Sequence, residues 1–169
     1  MIEDDEDDDG IVIENGFFLF WDGFPSNWTL SPFKIHNQEF ESVEQYMMAE
    51  KAAFFGDTET YNKILQAKTP REQKKLGREV KNYIESAWAE VRYSLVLRGT
   101  LEKYRQNLNL KAKLLDTKDL IFVEASPKDV VWGIGLDAQD PRAYNEKTWL
   151  GLNLLGKAVT AAREIIKGE

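Results

Sequence analysis

The sequence contains no cysteine and only one histidine, His36. Without cysteine there can be no disulfide, no thiolate nucleophile and no cysteine-ligated zinc, and any Ser-His-Asp triad would have to use His36, around which there is no nucleophile elbow. Neither an H-E-x-x-H pair nor an EF-hand loop occurs, so neither a metal nor a cofactor is expected. No apolar run approaches the roughly 20 residues that span a bilayer. The N-terminus is acidic where a secretory signal would be basic, so a cytoplasmic protein with no membrane partner is expected. A basic excess is also lacking. The formal net charge is −7, but "EDDEDDD" at 3–9 supplies seven of the 29 acidic residues and leaves 22 acids against 22 bases. A run of like charges has nothing apolar to bury, so 1–10 reads as an acidic disordered tail and 11–169 as one domain. A duplex-DNA binder that relies on counterion release is not expected from this balance.

What is present suffices for a sizeable core, since 43% of the 169 residues are hydrophobic and 12% aromatic. Phe17 to Trp21 reads as a short strand before a Gly/Pro/Ser/Asn turn, and 33–41 as a small hairpin. Helical spacing predicts helices over 42–56, 58–67 and 86–107, and a short one over 109–117. Another begins at Pro70, where Thr69 and Glu72 have capping-box spacing, and is expected to run to about Tyr83. "LIFVEAS" at 120–126 reads as a buried strand, and a last helix is expected from about Glu146 to Lys167. Strands and helices do not alternate regularly, so the expected class is a predominantly helical α+β domain with a few short strands.

Four clusters lie at element ends, where side chains converge without disturbing a core. "WDGFPSNW" at 21–28 flanks a turn with Trp21 and Trp28 and holds Asn27, although Gly, Pro and Asn are also what a plain turn requires. In "FESVEQYMMAEKAAFFGD", Glu44 and Lys51 are seven residues apart and project from nearly one side of a helix, roughly 10 Å apart along its axis. Glu44 is explained equally well by the helix dipole, and Lys51 by a stem packed on the surface. "VEASPKDVVWGIG" brings Glu124, Asp129, Trp132 and Gly133 into one strand-end turn, where Asp129 also has capping-box spacing from Ser126. "GIGLDA" matches G-x-G-x-x-A formally, but Pro141 interrupts any following helix and no βαβ unit surrounds it. In "WLGLNLLGKAVTAAR", Asn153 sits among leucines and needs hydrogen-bond partners, and Gly151 and Gly156 point to close packing or a ligand.

These stretches, with "KKLGREVKN" leading to Trp88, resemble the YbiA-like family, also called NADAR, over nearly everything after residue 16. The most specific part is E-A-S-x-x-D-x-x-W-G-I-G followed by W-x-G-x-N-x-L-G. The resemblance implies cleavage of an N-glycosidic bond at a ribose phosphate. One form is removal of ADP-ribose from guanine in DNA or RNA, or from a side chain; another acts on ribosylamino-pyrimidine phosphates of the riboflavin pathway. It implies Glu44 and Asp129 as catalytic carboxylates and Glu124 as a further acid or positioning residue. Lys51 and Arg78 would hold phosphate, or Lys51 would tune Glu44. Trp21, Trp88 and Trp132 would stack on the base or exclude water, Asn27 and Asn153 would hydrogen-bond ribose or base, and Gly133 would line the site. The chain departs from the family at Gln45, where histidine is frequent, which excludes a histidine general acid there. An ADP-ribose-binding module without catalysis, and a partnership with an opposing ADP-ribosyltransferase, are further readings.

Overall fold

The computed structural model describes residues 10–169, so the acidic run at 3–9 lies outside the described residues. The chain is an α+β fold, mainly helical with a few short strands, and divides into two compact units: the residues up to Thr29 with Asn109–Glu169, and Leu30–Leu108.

In the first unit β1 (Val12–Glu14) pairs antiparallel with β2 (Phe17–Phe20), and β2 pairs parallel with β5 (Ile121–Glu124). The parallel pair sets Phe18 opposite Phe122 and Phe20 opposite Glu124. Phe18, Phe24 and Phe122 stack with centroids 4.9–6.2 Å apart, and a second cluster gathers Leu19, Val123, Ala125, Ile134 and Leu136. α6 (Leu154–Lys167) lays Leu155, Ala158, Val159, Ala162 and Ile166 on the buried side at helical spacing. Its Arg163 is buried but satisfied: it donates to Thr117 Oγ1 and the Leu120 carbonyl, and its guanidinium lies over the Phe122 ring.

In the second unit β3 (Phe33–Ile35) and β4 (Gln38–Phe40) form the expected hairpin, with His36 and Asn37 in left-handed conformations at its two-residue turn. α1 (Val43–Phe54) is the central element, buried from Val43 to Ala49. Ser42 Oγ accepts from the Gln45 N–H, while Gln45 accepts from the Glu41 N–H and donates to the Ile64 and Leu65 carbonyls. Position 45 is thus a structural amide joining α1 to α2 (Thr58–Gln66). α3 (Pro70–Gly77) buries Gln73 and Gly77, and α4 (Glu85–Gln106) runs unbroken through Gly99, where an added Cβ would meet the Tyr46 ring.

Two boundaries differ from expectation. The helix from Pro70 ends at Gly77 instead of near Tyr83, because the Lys81 N–H donates to Asp57 Oδ2 at 2.9 Å and Asn82 adopts a left-handed φ of 62°. The last helix starts at Leu154 instead of Glu146, after two 3₁₀ turns, Pro141–Tyr144 and Glu146–Thr148. α5 (Leu108–Asp116) lies close to its expected span.

Asp57 also caps α2, accepting from the Thr60 N–H and hydroxyl. The Lys81 N–H first, and then the Thr60 donors, hold its pKa down at about 2, against about 3.9 in an unfolded chain. A depressed carboxylate stabilises the fold above its unfolded pKa and loses that contribution as pH falls toward its folded one. Asp57→Asn should therefore flatten the loss of stability between about pH 4 and pH 2. Urea midpoints measured across that range test this, and an unchanged slope would contradict it.

Candidate active site

The second unit gathers Glu44, Lys51 and Arg78. Glu44 occupies the first turn of α1 and is 4% exposed, so a carboxylate is held inside the fold where the helix N-terminus favours negative charge. Lys51 follows in the last turn of the same helix and is half-buried. Burial lowers its pKa below the ordinary lysine value; the fields of Glu85 and then Glu44 work against that shift, and that of Arg78 adds to it. These influences place all four charges in one electrostatic neighbourhood. Arg78, just past α3, stays exposed. The Lys51 Nζ sits 4.4 Å from the centroid of the Tyr83 ring, and its amine makes no hydrogen bond or salt bridge among the described residues. Trp88 faces inward, with its ring 6.3 Å from that of Phe54, and contributes more as wall than as open stacking surface.

The first unit gathers Trp21, Asn27, Glu124, Asp129, Trp132, Gly133 and Asn153. Trp21 is 57% exposed just after β2. Asn27 is almost wholly buried in the following turn, and its side-chain amide makes no hydrogen bond among the described residues. That turn closes through Ser26 N–H to the Gly23 carbonyl and Trp28 N–H to Ser26 Oγ. Glu124 ends β5 half-buried. Asp129 Oδ1 accepts from the N–H groups of Val131 and Trp132 at 2.9 and 2.8 Å, so this oxygen organises the loop that carries Trp132.

Asn153 is 1% exposed and adopts a left-handed φ of 53°. Its Oδ1 accepts from the Glu124 N–H and its Nδ2 donates to the Phe122 carbonyl, so both ends of the amide clamp β5. The glycines around it serve approach of one backbone to another. A Cβ at Gly151 would overlap the Gly133 carbonyl oxygen, and one at Gly133 would meet the Asp129 and Glu124 carbonyls at 2.9 and 3.0 Å. The close approach lets the N–H groups of Leu150, Leu152, Asn153, Leu154 and Leu155 donate to the carbonyls of Ile134, Val130, Gly133, Val131 and Trp132 respectively. For Leu154 and Leu155 these bonds satisfy N–H groups that a helix start leaves unpaired. W-G-I-G and W-x-G-x-N-x-L-G are thus two halves of one backbone lock that presents Asp129 and Trp132.

Reasoning from sequence missed Tyr83 and Glu85. The Tyr83 hydroxyl donates to Glu85 Oε2, and Arg92 Nη1 donates to Glu85 Oε1 at 3.1 Å. No motif marked them; the only available signal was an aromatic residue beside an acid at a helix start.

The described chain is thus a helix-rich α+β scaffold that holds an acid and an amine on one helix, α1. The profile of the NADAR domain matches residues 15–167, and the chain belongs to that family. It is 40% identical over 149 residues to a protein of Acanthamoeba polyphaga mimivirus named as an N-glycosidase, with 88% of each chain covered. A Nostoc punctiforme protein, also named as an N-glycosidase, is 30% identical, with 89% of this chain and 91% of that one covered. The NMR structure of the Escherichia coli protein YbiA superposes with a TM-score of 0.75 at 22% identity, over 95% of this chain and 90% of that one, which establishes the shared fold.

Proposed function

We propose that the chain is an N-glycosidase that hydrolyses the C–N bond at the anomeric carbon of a ribose phosphate, and that it removes ADP-ribose from a base in nucleic acid. The observation that carries this reading is Glu44, a carboxylate buried at the start of a helix whose last turn holds a lysine that burial makes less basic. As the C–N bond breaks, its electron pair leaves with the base nitrogen and positive charge develops on the ribose C1′ and ring oxygen. A fixed carboxylate stabilises that charge and accepts one proton of the water that adds to C1′, while the departing nitrogen takes up a proton in turn, so that the sugar and the neutral base are released. Lys51 and Arg78 supply cations for phosphate oxygens. In the first unit, taken by itself, Asn27 offers an amide, Trp21 and Trp132 offer aromatic faces, and Asp129 has one oxygen outside its two loop bonds.

A nucleic-acid substrate is favoured by Arg71 and Lys75 of α3 and Arg78 just after it, which recur at helical spacing and are exposed, while Gln73 and Gly77 face inward. A row of cations leading to Arg78 suits a polyanion longer than one sugar phosphate. Isothermal calorimetry with ADP-ribose and, separately, ribose 5-phosphate tests the reading. ADP-ribose should bind to wild type and to Glu44→Gln alike, with little response to ribose 5-phosphate. Preference for the small phosphate would move the substrate to ribosylamino-pyrimidine phosphates, and binding of ADP-ribose without any hydrolysis of a modified oligonucleotide would leave a binding module.

A further inference from the structure

Lys51 feels the fields of two acids, Glu85 and Glu44, but forms an ion pair with neither. Its amine rests on the face of Tyr83 rather than on a carboxylate. Glu85 is the strongest acidic influence on Lys51, yet both of its oxygens are taken, one by the Tyr83 hydroxyl and the other by Arg92, whose side chain is largely buried. The Tyr83 ring is itself fixed edge-on against Phe55, at 5.4 Å between centroids. An aromatic face attracts a cation without using up its N–H donors, whereas a carboxylate in direct contact would occupy them.

We propose that Tyr83 and Glu85 are positioning residues for Lys51: the Tyr83 ring carries the amine, and Glu85, its two oxygens taken by Tyr83 and Arg92, does not pair with it, which leaves the donors of the amine open to a phosphate or ribose oxygen. The proposal rests on the reading of Lys51 as a substrate contact. The groups that bear on the amine are Glu44 from α1, Arg78 after α3, and Tyr83 and Glu85 at the start of α4. Glu85 opposes the downward pull of burial, so its removal leaves that pull less balanced.

The test follows the amine itself. Lysine labelled with ¹³C at Cε reports the Lys51 titration by NMR, its signal assigned by its loss in Lys51→Gln. In Glu85→Gln the titration should move to lower pH, and the alkaline limb of the pH–rate profile for an ADP-ribosylated oligonucleotide should move with it. Tyr83→Leu should shift the titration the same way and raise KM, and Tyr83→Phe, which keeps the ring, should restore KM. A Lys51 titration unmoved in both Glu85→Gln and Tyr83→Leu, with both variants folded by circular dichroism, overturns the proposal. A titration that moves while Lys51→Gln hydrolyses as fast as wild type instead removes Lys51 from the substrate contacts and leaves its positioning intact.

Discussion

Glu44→Gln should slow hydrolysis by about 10²–10⁴-fold while leaving ADP-ribose affinity within a few-fold of wild type. The amide has nearly the shape of the carboxylate, so the first turn of α1 can keep its packing, and the Ser42 cap bond to the Gln45 N–H does not involve Glu44. What disappears is a negative charge that matters most when positive charge develops on the sugar. Its loss therefore falls on kcat more than on binding. The field of Glu44 also supports the protonated form of Lys51, so the variant should release the Lys51 proton at lower pH. Single-turnover release of ADP-ribose from a modified oligonucleotide measures the first effect. A rate within a few-fold of wild type would remove Glu44 from the chemistry and make Asp129→Asn the next variant to assay.

Gly156→Ala should destabilise the fold by about 3 kcal/mol, near the upper end for an overpacked core position. Its Cβ would overlap the Phe122 carbonyl oxygen and both polar atoms of the Asn153 side chain. None of these is the loose end of a flexible side chain. The carbonyl belongs to β5, and Asn153 is bonded to the backbone of that same strand. Relief requires moving α6 away from β5 or breaking the clamp, and either exposes the apolar face formed by Leu155, Val159 and Ala162. Gly168→Ala is the control, since a Cβ there meets only the Ile165 and Glu164 carbonyls at 3.5 and 4.0 Å, and should stay within about 0.5 kcal/mol of wild type. Denaturant unfolding of the two variants decides the matter: equal midpoints would show that the contact between α6 and β5 is loose.

Much of the scaffold was legible because its signals are local. Thr69 and Glu72 marked the start of α3, since that cap is made within one turn. The ends of α3 and the start of α6 were not legible. Lys81 lies 24 residues from the aspartate that takes its N–H, and Leu152 to Leu155 donate to carbonyls of 130–133, so helical periodicity carries no trace of either competition. The same distinction runs through the candidate site. Glu44 and Lys51 could be paired from their spacing because one helix holds both. Tyr83 and Glu85 could not be joined to Lys51, since the connection passes through a ring face in another element.

The residue sequence by itself determined the chemical inventory: carboxylates, amines, guanidinium groups and tryptophans, no thiol, and a histidine that no motif supports. It also determined the helical face shared by Glu44 and Lys51, because a 3.6-residue period follows from backbone geometry alone. Only the tertiary structure decided that Asn153 clamps β5, that Gly133 and Gly151 exist for backbone contact, and that Lys51 loses basicity through burial and rests on Tyr83. Desolvation and close approach depend on which distant segments pack around a group, and local sequence does not encode those neighbours.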